Sequence, residues 1–476
     1  MFGRLPLSVS TNMSNKNEIP ILIGALLVTL GIVGGGGWFL FNRMNPATVG
    51  PGLSTTGSMP RELQANVSTG EKVLVPTMDN ETKLFASKAI AGGKNQEALQ
   101  QLTQYLEKSP NDPEAWIYLN NLRALDHNPL QIAVVAPVGS SLNIAQEILR
   151  GAAQAQEEIN QKGGIDGRFL HITIVNDAND GTLAQQFAGE LVKQNQILGV
   201  VGHNASSATL SAAPTYEAGG LVLVNATSDA NGITNVGNHI FRVIPQINTS
   251  AQTLVQQVGK EVDQVAVCYD SKAPDGVSFY QEFTTGLLAS GGQLAPTVCD
   301  LSEANFNSQT KMAEIVASGA QGLLILPHID RLDRAFALGD ANRGRLKLYG
   351  NSPLSTIKTL EQGQSMVDLM VAIPWSSKRG ANRPFAEAAR KFWGGDVSWR
   401  TAATYDAVYV VANALAVAPS REGLQKVLTE PEFVSSTING EVRFLPNGDR
   451  AGQATLVQIK PSPSHVTGYD FFPINR

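Results

Sequence analysis

From Leu130 onward the chain alternates short apolar runs with amphipathic runs, and that alternation leaves few folds open. LQIAVVAPV reads as a buried strand, NIAQEILRGAAQAQEEINQKGG as an amphipathic helix closed by paired glycines, and FLHITIVNDAN as a second strand. LAQQFAGELVKQN then reads as a helix and ILGVVGH as a third strand. The pattern continues through GGLVLVNAT, HIFRVIP, DQVAVCYD, GQLAPTVCDL, QGLLILP, LKLYG and VDLMVAIPW. Strands separated by helices of about 10 to 15 residues imply parallel sheets with helices on both faces. Roughly ten strands predict an α/β architecture of two doubly wound parallel-sheet lobes. The cleft between them is then the natural site, walled by loops beyond the carboxyl ends of the strands.

What precedes Leu130 has a different texture. Residues 1–19 are an irregular tail. From Pro20 to Phe41 (PILIGALLVTLGIVGGGGWFLF) there is no charged residue, a stretch sufficient to cross a bilayer, which takes ~20 residues. A buried soluble helix would accommodate four consecutive glycines poorly. No small-x-small cleavage site is clear and no cysteine follows directly, so an uncleaved transmembrane signal anchor is expected rather than a lipid anchor. Arg4, Lys16 and Arg43 encode its orientation only weakly. Residues 42–80, rich in Ser, Thr, Gly and Pro, read as a linker. Residues 81–127 turn helical: NQEALQQLTQYLEKSP carries apolar residues at three- and four-residue steps. SPNDPEAWIYLNNLRA then restarts a helix with Asp112 as N-cap and Pro113 at the first position. This segment resembles a tetratricopeptide-type hairpin of about one repeat, fewer than the ~3 needed to stand alone, so a short collar packed on its neighbour is expected.

Several functions are excluded by what the chain lacks. Its formal net charge is −5, and no run of Lys or Arg offers the basic face that nucleic acid requires. The GHNASSAT loop contains Ser206 and Ser207, but not the Gly-x-Ser-x-Gly elbow of a nucleophile. His203, three residues before Ser206, reads as a loop histidine satisfied by backbone rather than as a triad base. Asp177 and Asp180 stand at a strand end and read as turn caps. No phosphate loop or metal-ligand spacing occurs among the six histidines. Neither an enzyme nor a cofactor is expected. Cys268 and Cys299 lie near the ends of successive predicted strands; a disulfide and two buried thiols both remain open.

The stretch EILRGAAQAQEEINQKGGIDGRFLHITIVNDANDGTLAQQFAGELVKQNQILGVVGHNASSAT resembles the first lobe of the branched-chain amino-acid-binding proteins of ABC importers, the Leu/Ile/Val type of periplasmic solute-binding protein. INQKGGIDGR, the strand end VND and GHNASSAT stand in the family's order. VGNHIFRVIP and WRTAATYDAVYVVANAL extend the likeness toward the C-terminus. STGEKVLVP and the collar resemble extensions of membrane-tethered members. The resemblance implies a type I periplasmic binding fold with three hinge crossings, lobe 1 comprising residues 130–246 and 376–432 and lobe 2 residues 247–375 and 433–476.

The same resemblance assigns a ligand α-carboxylate to Ser206, with Ser207 beside it, and to Thr227 and Ser228 on the NATSDANGIT loop. Asp229 stands where the family carries Thr or Ser; it would repel a carboxylate unless it turns away to cap the following helix, which is the expectation. Lobe 2 departs further. No tyrosine stands in DSKAPDG, and no Glu at Asn351 or Ser352 in YGNSPLS, where the family's partner for the ligand ammonium falls. Asp275 or Asp330 offers a negative charge instead, though each also reads as a solvated loop acid. The implied protein is an extracytoplasmic binder, anchored in the cytoplasmic membrane. It captures a small polar ligand, an amino acid first, and delivers it to ABC permease subunits. The alternative is a ligand sensor whose closure signals to a membrane partner.

Overall fold

The structure is a computed structural model that describes residues 59–76 and 81–474. The tail, the segment expected to cross a membrane and residues 42–58 lie outside the described residues. Among those described, no single helix is long and apolar enough to cross a membrane.

The alternating pattern yields two sheets. Strands β1 (Val67–Ser68), β2 (Leu130–Ala136), β3 (Leu170–Asn176), β4 (Ile197–Val201), β5 (Val222–Asn225) and β6 (Ile240–Pro245) form the first, in the order β1-β3-β2-β4-β5-β6. β7 (Gln264–Tyr269), β8 (Gln293–Leu294), β9 (Cys299–Asp300), β10 (Gly322–Leu326), β11 (Lys347–Gly350) and β12 (Met370–Ile373) build the second. After a small hairpin of β13 (Ser435–Thr437) and β14 (Gly440–Val442), β15 (Asp449–Arg450) returns to the first sheet beside β6. β16 (Thr455–Pro461) and β17 (Tyr469–Pro473) then extend the second sheet past β12. The central strands are buried along almost their whole length, as expected of sheets covered on both faces.

The sheets are mixed rather than wholly parallel. β1 pairs antiparallel with β3, and β16 and β17 are antiparallel to their neighbours. The connection from β16 to β17 is too short for a crossover, so those two strands can pair only as a hairpin. The chain passes from one sheet to the other after β6, after β12 and after β15.

Two segments sit elsewhere than the sequence reading expects. Residues 59–76, counted with the linker, are packed structure: Met59, Leu63 and Val67 are buried in the same core as Ala133 and Phe187. Their four-residue spacing was the available signal. Residues 433–450, assigned above to lobe 2, belong with the first sheet. Val442 joins the core shared by β2, and Arg242 holds Asp449 through contacts of 2.6 and 2.8 Å.

The predicted collar is three helices, Glu81–Ala91, Asn95–Lys108 and Pro113–Ala124. Asp112 caps the third, accepting from Ala115 N at 3.0 Å. These helices are built into the first lobe. Asn121 Nδ2 donates to the carbonyls of Thr69 (2.9 Å) and Ile172 (2.7 Å), and its Oδ1 accepts from Ile172 N (2.9 Å). Lys83, fully buried, lies 2.7 Å from Asp112 and 2.6 Å from Glu114. The helix Leu142–Gln161 packs closely on Trp399–Val417: a Cβ on Gly151 would stand 2.3 Å from the Thr401 carbonyl oxygen.

Of the two readings left open for the cysteines, the structure selects the disulfide. Cys268 on β7 and Cys299 on β9 are directly opposed in a parallel pair, with Cα atoms 4.5 Å apart and sulfurs bonded.

Candidate functional site

β4 ends at Val201, and the loop Gly202–Ala205 leads into the helix Ser206–Ala218. No side chain caps this helix at Ala205, so its first-turn amides remain available to an acceptor. A second loop, after β5, is tied to the first by one side chain. Asn225 Nδ2 donates to the carbonyls of Gly202 (3.0 Å) and His203 (2.9 Å), while its Oδ1 accepts from Thr227 N (3.1 Å) and Ser228 N (2.7 Å). Ser228 Oγ adds bonds to the carbonyls of His203 (3.1 Å) and Asn204 (3.0 Å). Both loops are thereby held at the carboxyl edge of the first sheet.

These loops form one wall of a small pocket that opens to solvent. Asn204, Ala205, Ser206, Thr227 and Asp229 come from the first lobe. Asp275, His328, Ile329, Ser352 and Pro353 come from loops and helix starts of the second, and Trp399 and Arg400 from the helix that follows the second crossing. The lobes touch beside it: Ser141 Oγ donates to Asp330 Oδ1 at 3.1 Å, and Asn231 Nδ2 to Glu282 at 2.9 Å.

Of the nine residues expected here, five line the pocket: Ser206, Thr227, Asp229, Asp275 and Ser352. Ser207 does not; it lies one position along the helix, where its carbonyl accepts from Ser211. Ser228 is buried behind the wall as the pin just described. Asp330 is half-exposed, beside Ser141 and His328. Asn351 is buried next to Ser352, and neither its Nδ2 nor its Oδ1 has a partner among the described residues. Asp229 caps no helix. It is buried, faces the pocket and accepts from Ser352 Oγ of the other lobe at 3.4 Å.

Trp399, Arg400 and His328 were not singled out from the sequence, although WRTAATYDAVYVVANAL contains the first two. Arg400 is buried, its guanidinium 4.4 Å from the Trp399 ring centroid; Nη1 donates to the Ser355 carbonyl at 3.1 Å and lies 3.6 Å from Glu147. Asp275 Oδ1, Trp399 Nε1 and Arg400 Nε are buried polar atoms without a hydrogen-bond partner among the described residues. Each carries a desolvation cost that an added polar partner would offset.

Electrostatics concentrate at the carboxylates. Burial, with Asp275 nearby, pushes Asp229 up to about 7 against the pull of Arg242. Burial likewise raises Asp275, with His328 opposing.

His203 differs from expectation: side chains satisfy it. Nδ1 lies 2.7 Å from Asp177 Oδ2, and Nε2 is 3.1 Å from the Tyr216 hydroxyl. Its ring is thus committed to Tyr216 and Asp177 and not to Ser206. No group of three or more His, Cys, Asp or Glu among the described residues could hold a metal ion.

A family model described as periplasmic binding protein matches residues 129–463. The "Amino acid binding protein" of Pseudomonas aeruginosa is 34% identical over 114 residues, covering 24% of this chain and 30% of that protein. The "Leu/Ile/Val-binding protein" of Escherichia coli is 28% identical over 149 residues, covering 30% of this chain and 40% of the relative. The chain thus spans less than half the length of these curated relatives. Among solved structures, an ABC transporter substrate-binding protein from Desulfitobacterium hafniense in complex with Leu shares the fold. The TM-score is 0.60 at 21% identity, over 72% of this chain and 100% of that one.

Proposed function

This chain belongs to the periplasmic binding protein family, and from that premise we propose that it is a membrane-tethered, extracytoplasmic binder that captures a small polar ligand between its lobes and delivers it to an ABC importer permease. The observation that carries the reading is the pocket itself, whose wall draws Ser206 and Thr227 from one lobe, Asp275 and Ser352 from the other, and Trp399 and Arg400 from the crossing helix. A ligand contacting all three parts binds the closed arrangement better than the open one and shifts the lobes toward it.

An amino acid fits the polarity of the pocket. Its carboxylate would meet Ser206, Thr227 and the uncapped amides of the helix Ser206–Ala218, where the helix dipole favours negative charge. Its ammonium would face the acidic residues opposite. The names of the two curated relatives support the same class. Pro20–Phe41 would anchor the chain in the cytoplasmic membrane, leaving the lobes in the periplasm or outside the cell. One observation favours the sensor alternative: the collar is bonded directly into the first lobe through Asn121.

The test is thermal unfolding of the full chain in detergent against free amino acids, small amides and polyols. A ligand at a hundred times its dissociation constant adds about 2.7 kcal/mol of stability. If no amino acid raises the midpoint and another class does, the amino-acid assignment falls. If no compound acts, the solute-binding reading falls with it.

A further inference from the structure

The pocket holds two buried carboxylates that belong to different lobes. Asp229 sits on the loop after β5, and Asp275 opens the helix Pro274–Ala289 of the second lobe. We propose that Asp229 and Asp275 form one cation clamp shared between the lobes, which takes a protonated nitrogen of the ligand (ammonium, amidinium or guanidinium) and which, without that nitrogen, holds the lobes apart by like-charge repulsion. The proposal rests on this pocket being the ligand site and adds what the ligand must carry.

The charges around the pair compensate it only in part. On the first-lobe side, Arg242 approaches Asp229 but is bonded to Asp449 through two of its nitrogens. Arg400 also acts on Asp229 electrostatically, but its direct contacts are with Glu147 and the Ser355 carbonyl. On the second-lobe side, Asp270 lies behind Asp275 and is paired with Arg331. His328 is the remaining basic group on the pocket wall, and it also neighbours Asp330. Each nearby arginine therefore has its own carboxylate, and the clamp has none of them to itself.

Ionised carboxylates accept hydrogen bonds and cannot donate. Ser352 Oγ reaches Asp229 from the other lobe at a long 3.4 Å, backbone amides lie against both carboxyls, and Asp275 Oδ1 has no hydrogen-bond donor among the described residues. A ligand end offering two or more N–H groups and a positive charge would satisfy both acceptors and cancel repulsion that low local polarity makes strong. An anionic or purely apolar end would do neither. A proton can partly replace the ligand: Asp229 gains one near pH 7, and a protonated Asp229 both loses its charge and becomes a donor toward Asp275.

The experiment separates the clamp from the identity of the ligand. Because both native cysteines are bonded, the exposed Gln185 and Gln309, one on each lobe, can carry spin labels after Q185C and Q309C. Interlobe distances in the full chain, in detergent and without ligand, are then measured by pulsed electron resonance from about pH 8.5 to about pH 5.5. The short-distance population should grow as pH falls, with a midpoint near 7. It should dominate at every pH in Asp229→Asn, and Asp275→Asn should likewise lose the pH response. A distribution that ignores pH in the unsubstituted protein, or an Asp229→Asn variant keeping the full response, overturns the clamp.

In a second arm, at about pH 8, leucine and its des-amino analogue isocaproate are the probes. Leucine should close the lobes, and isocaproate should bind about a hundredfold more weakly because it leaves buried acceptors unmet. Equal closure by the two overturns the proposal. If neither acts while the pH response holds, the clamp stands and the amino-acid reading fails.

Discussion

His203 Nδ1 lies 2.7 Å from Asp177 Oδ2, and both side chains are wholly buried between β3, the pocket loop and the helix Ser206–Ala218. The same histidine offers its carbonyl to Asn225 and Ser228, so a side-chain pair in the core sets the backbone that forms the pocket wall. Replacing His203 by Phe keeps the ring but leaves a buried carboxylate oxygen without its donor. We expect a loss of about 3 kcal/mol of stability in urea unfolding, together with weaker ligand binding. A variant within 0.5 kcal/mol of the unsubstituted protein, roughly the scale of surface substitutions, would show that the pair does not support the wall.

Ser206 is a contact rather than a support. Its Oγ accepts from Ala230 N at a long 3.3 Å, so Ser206→Ala should change stability little. Losing a hydroxyl donor to a charged ligand group should weaken binding by about 1.5 to 3 kcal/mol, roughly ten- to a hundredfold. Titration calorimetry with whichever amino acid raises the unfolding midpoint reads this directly.

Lys83 holds the collar together. Burial works against its charge, yet the Glu114 and Asp112 carboxylates keep its pKa above the ordinary lysine value. Glu114 also accepts from Leu74 N (2.6 Å) and Val75 N (3.1 Å), which ties the segment carrying β1 to the helices. Lys83→Met removes the cation between two buried acids and should cost about 3 to 5 kcal/mol. Hydrogen exchange should rise first at residues 67–76. Unchanged protection there would mean that β1 is held by its sheet pairing alone.

The Cys268–Cys299 bond spans a sequence separation of 31, for which loop-closure entropy predicts about 3 to 4 kcal/mol of stabilisation. Reduction, or replacement of both residues by Ser, should lower the stability of the second lobe by that order and leave the first lobe's exchange pattern unchanged. Equal loss in both lobes would indicate that they unfold as one unit.

Asp229 makes stability depend on pH in an unusual direction. Its folded-state pKa is raised from 3.8 to about 7, so the folded protein binds this proton more tightly than the unfolded chain. The stabilisation is therefore complete below about pH 4 and lost as pH rises through about 7. Between pH 8 and 6 the melting temperature of the ligand-free protein should rise, less so for Asp229→Asn. Parallel curves for the two proteins would exclude this titration.

The strands β2 to β7 and β10 to β12 were legible as short apolar runs, and the helices Leu142–Gln161 and Gly181–Lys193 from their own patterning, signals that depend on neighbours in sequence. Asp112 as an N-cap was legible for the same reason: the cap and the amide it binds are three residues apart. Ser206, Thr227, Asp275 and Ser352 could be proposed because the family resemblance places its ligand contacts on the loops that carry them. His203 could not be read correctly, since its partners Asp177 and Tyr216 lie on other elements. Met59, Leu63 and Val67 were passed over because their four-residue spacing sits in a stretch otherwise rich in Ser, Thr, Gly and Pro.

What the sequence determined by itself is therefore the repertoire of elements, the two-lobed α/β plan and the loops that carry polar groups to the strand ends, all consequences of local pattern. Only the tertiary structure decided that β1 and β15 join the first sheet, that Cys268 faces Cys299, that Arg400 lines the pocket and that Asp229 and Asp275 confront one space from two lobes. Those outcomes depend on which distant surfaces bury one another and on which charges are thereby left without solvent, and neither is encoded in the spacing of neighbouring residues.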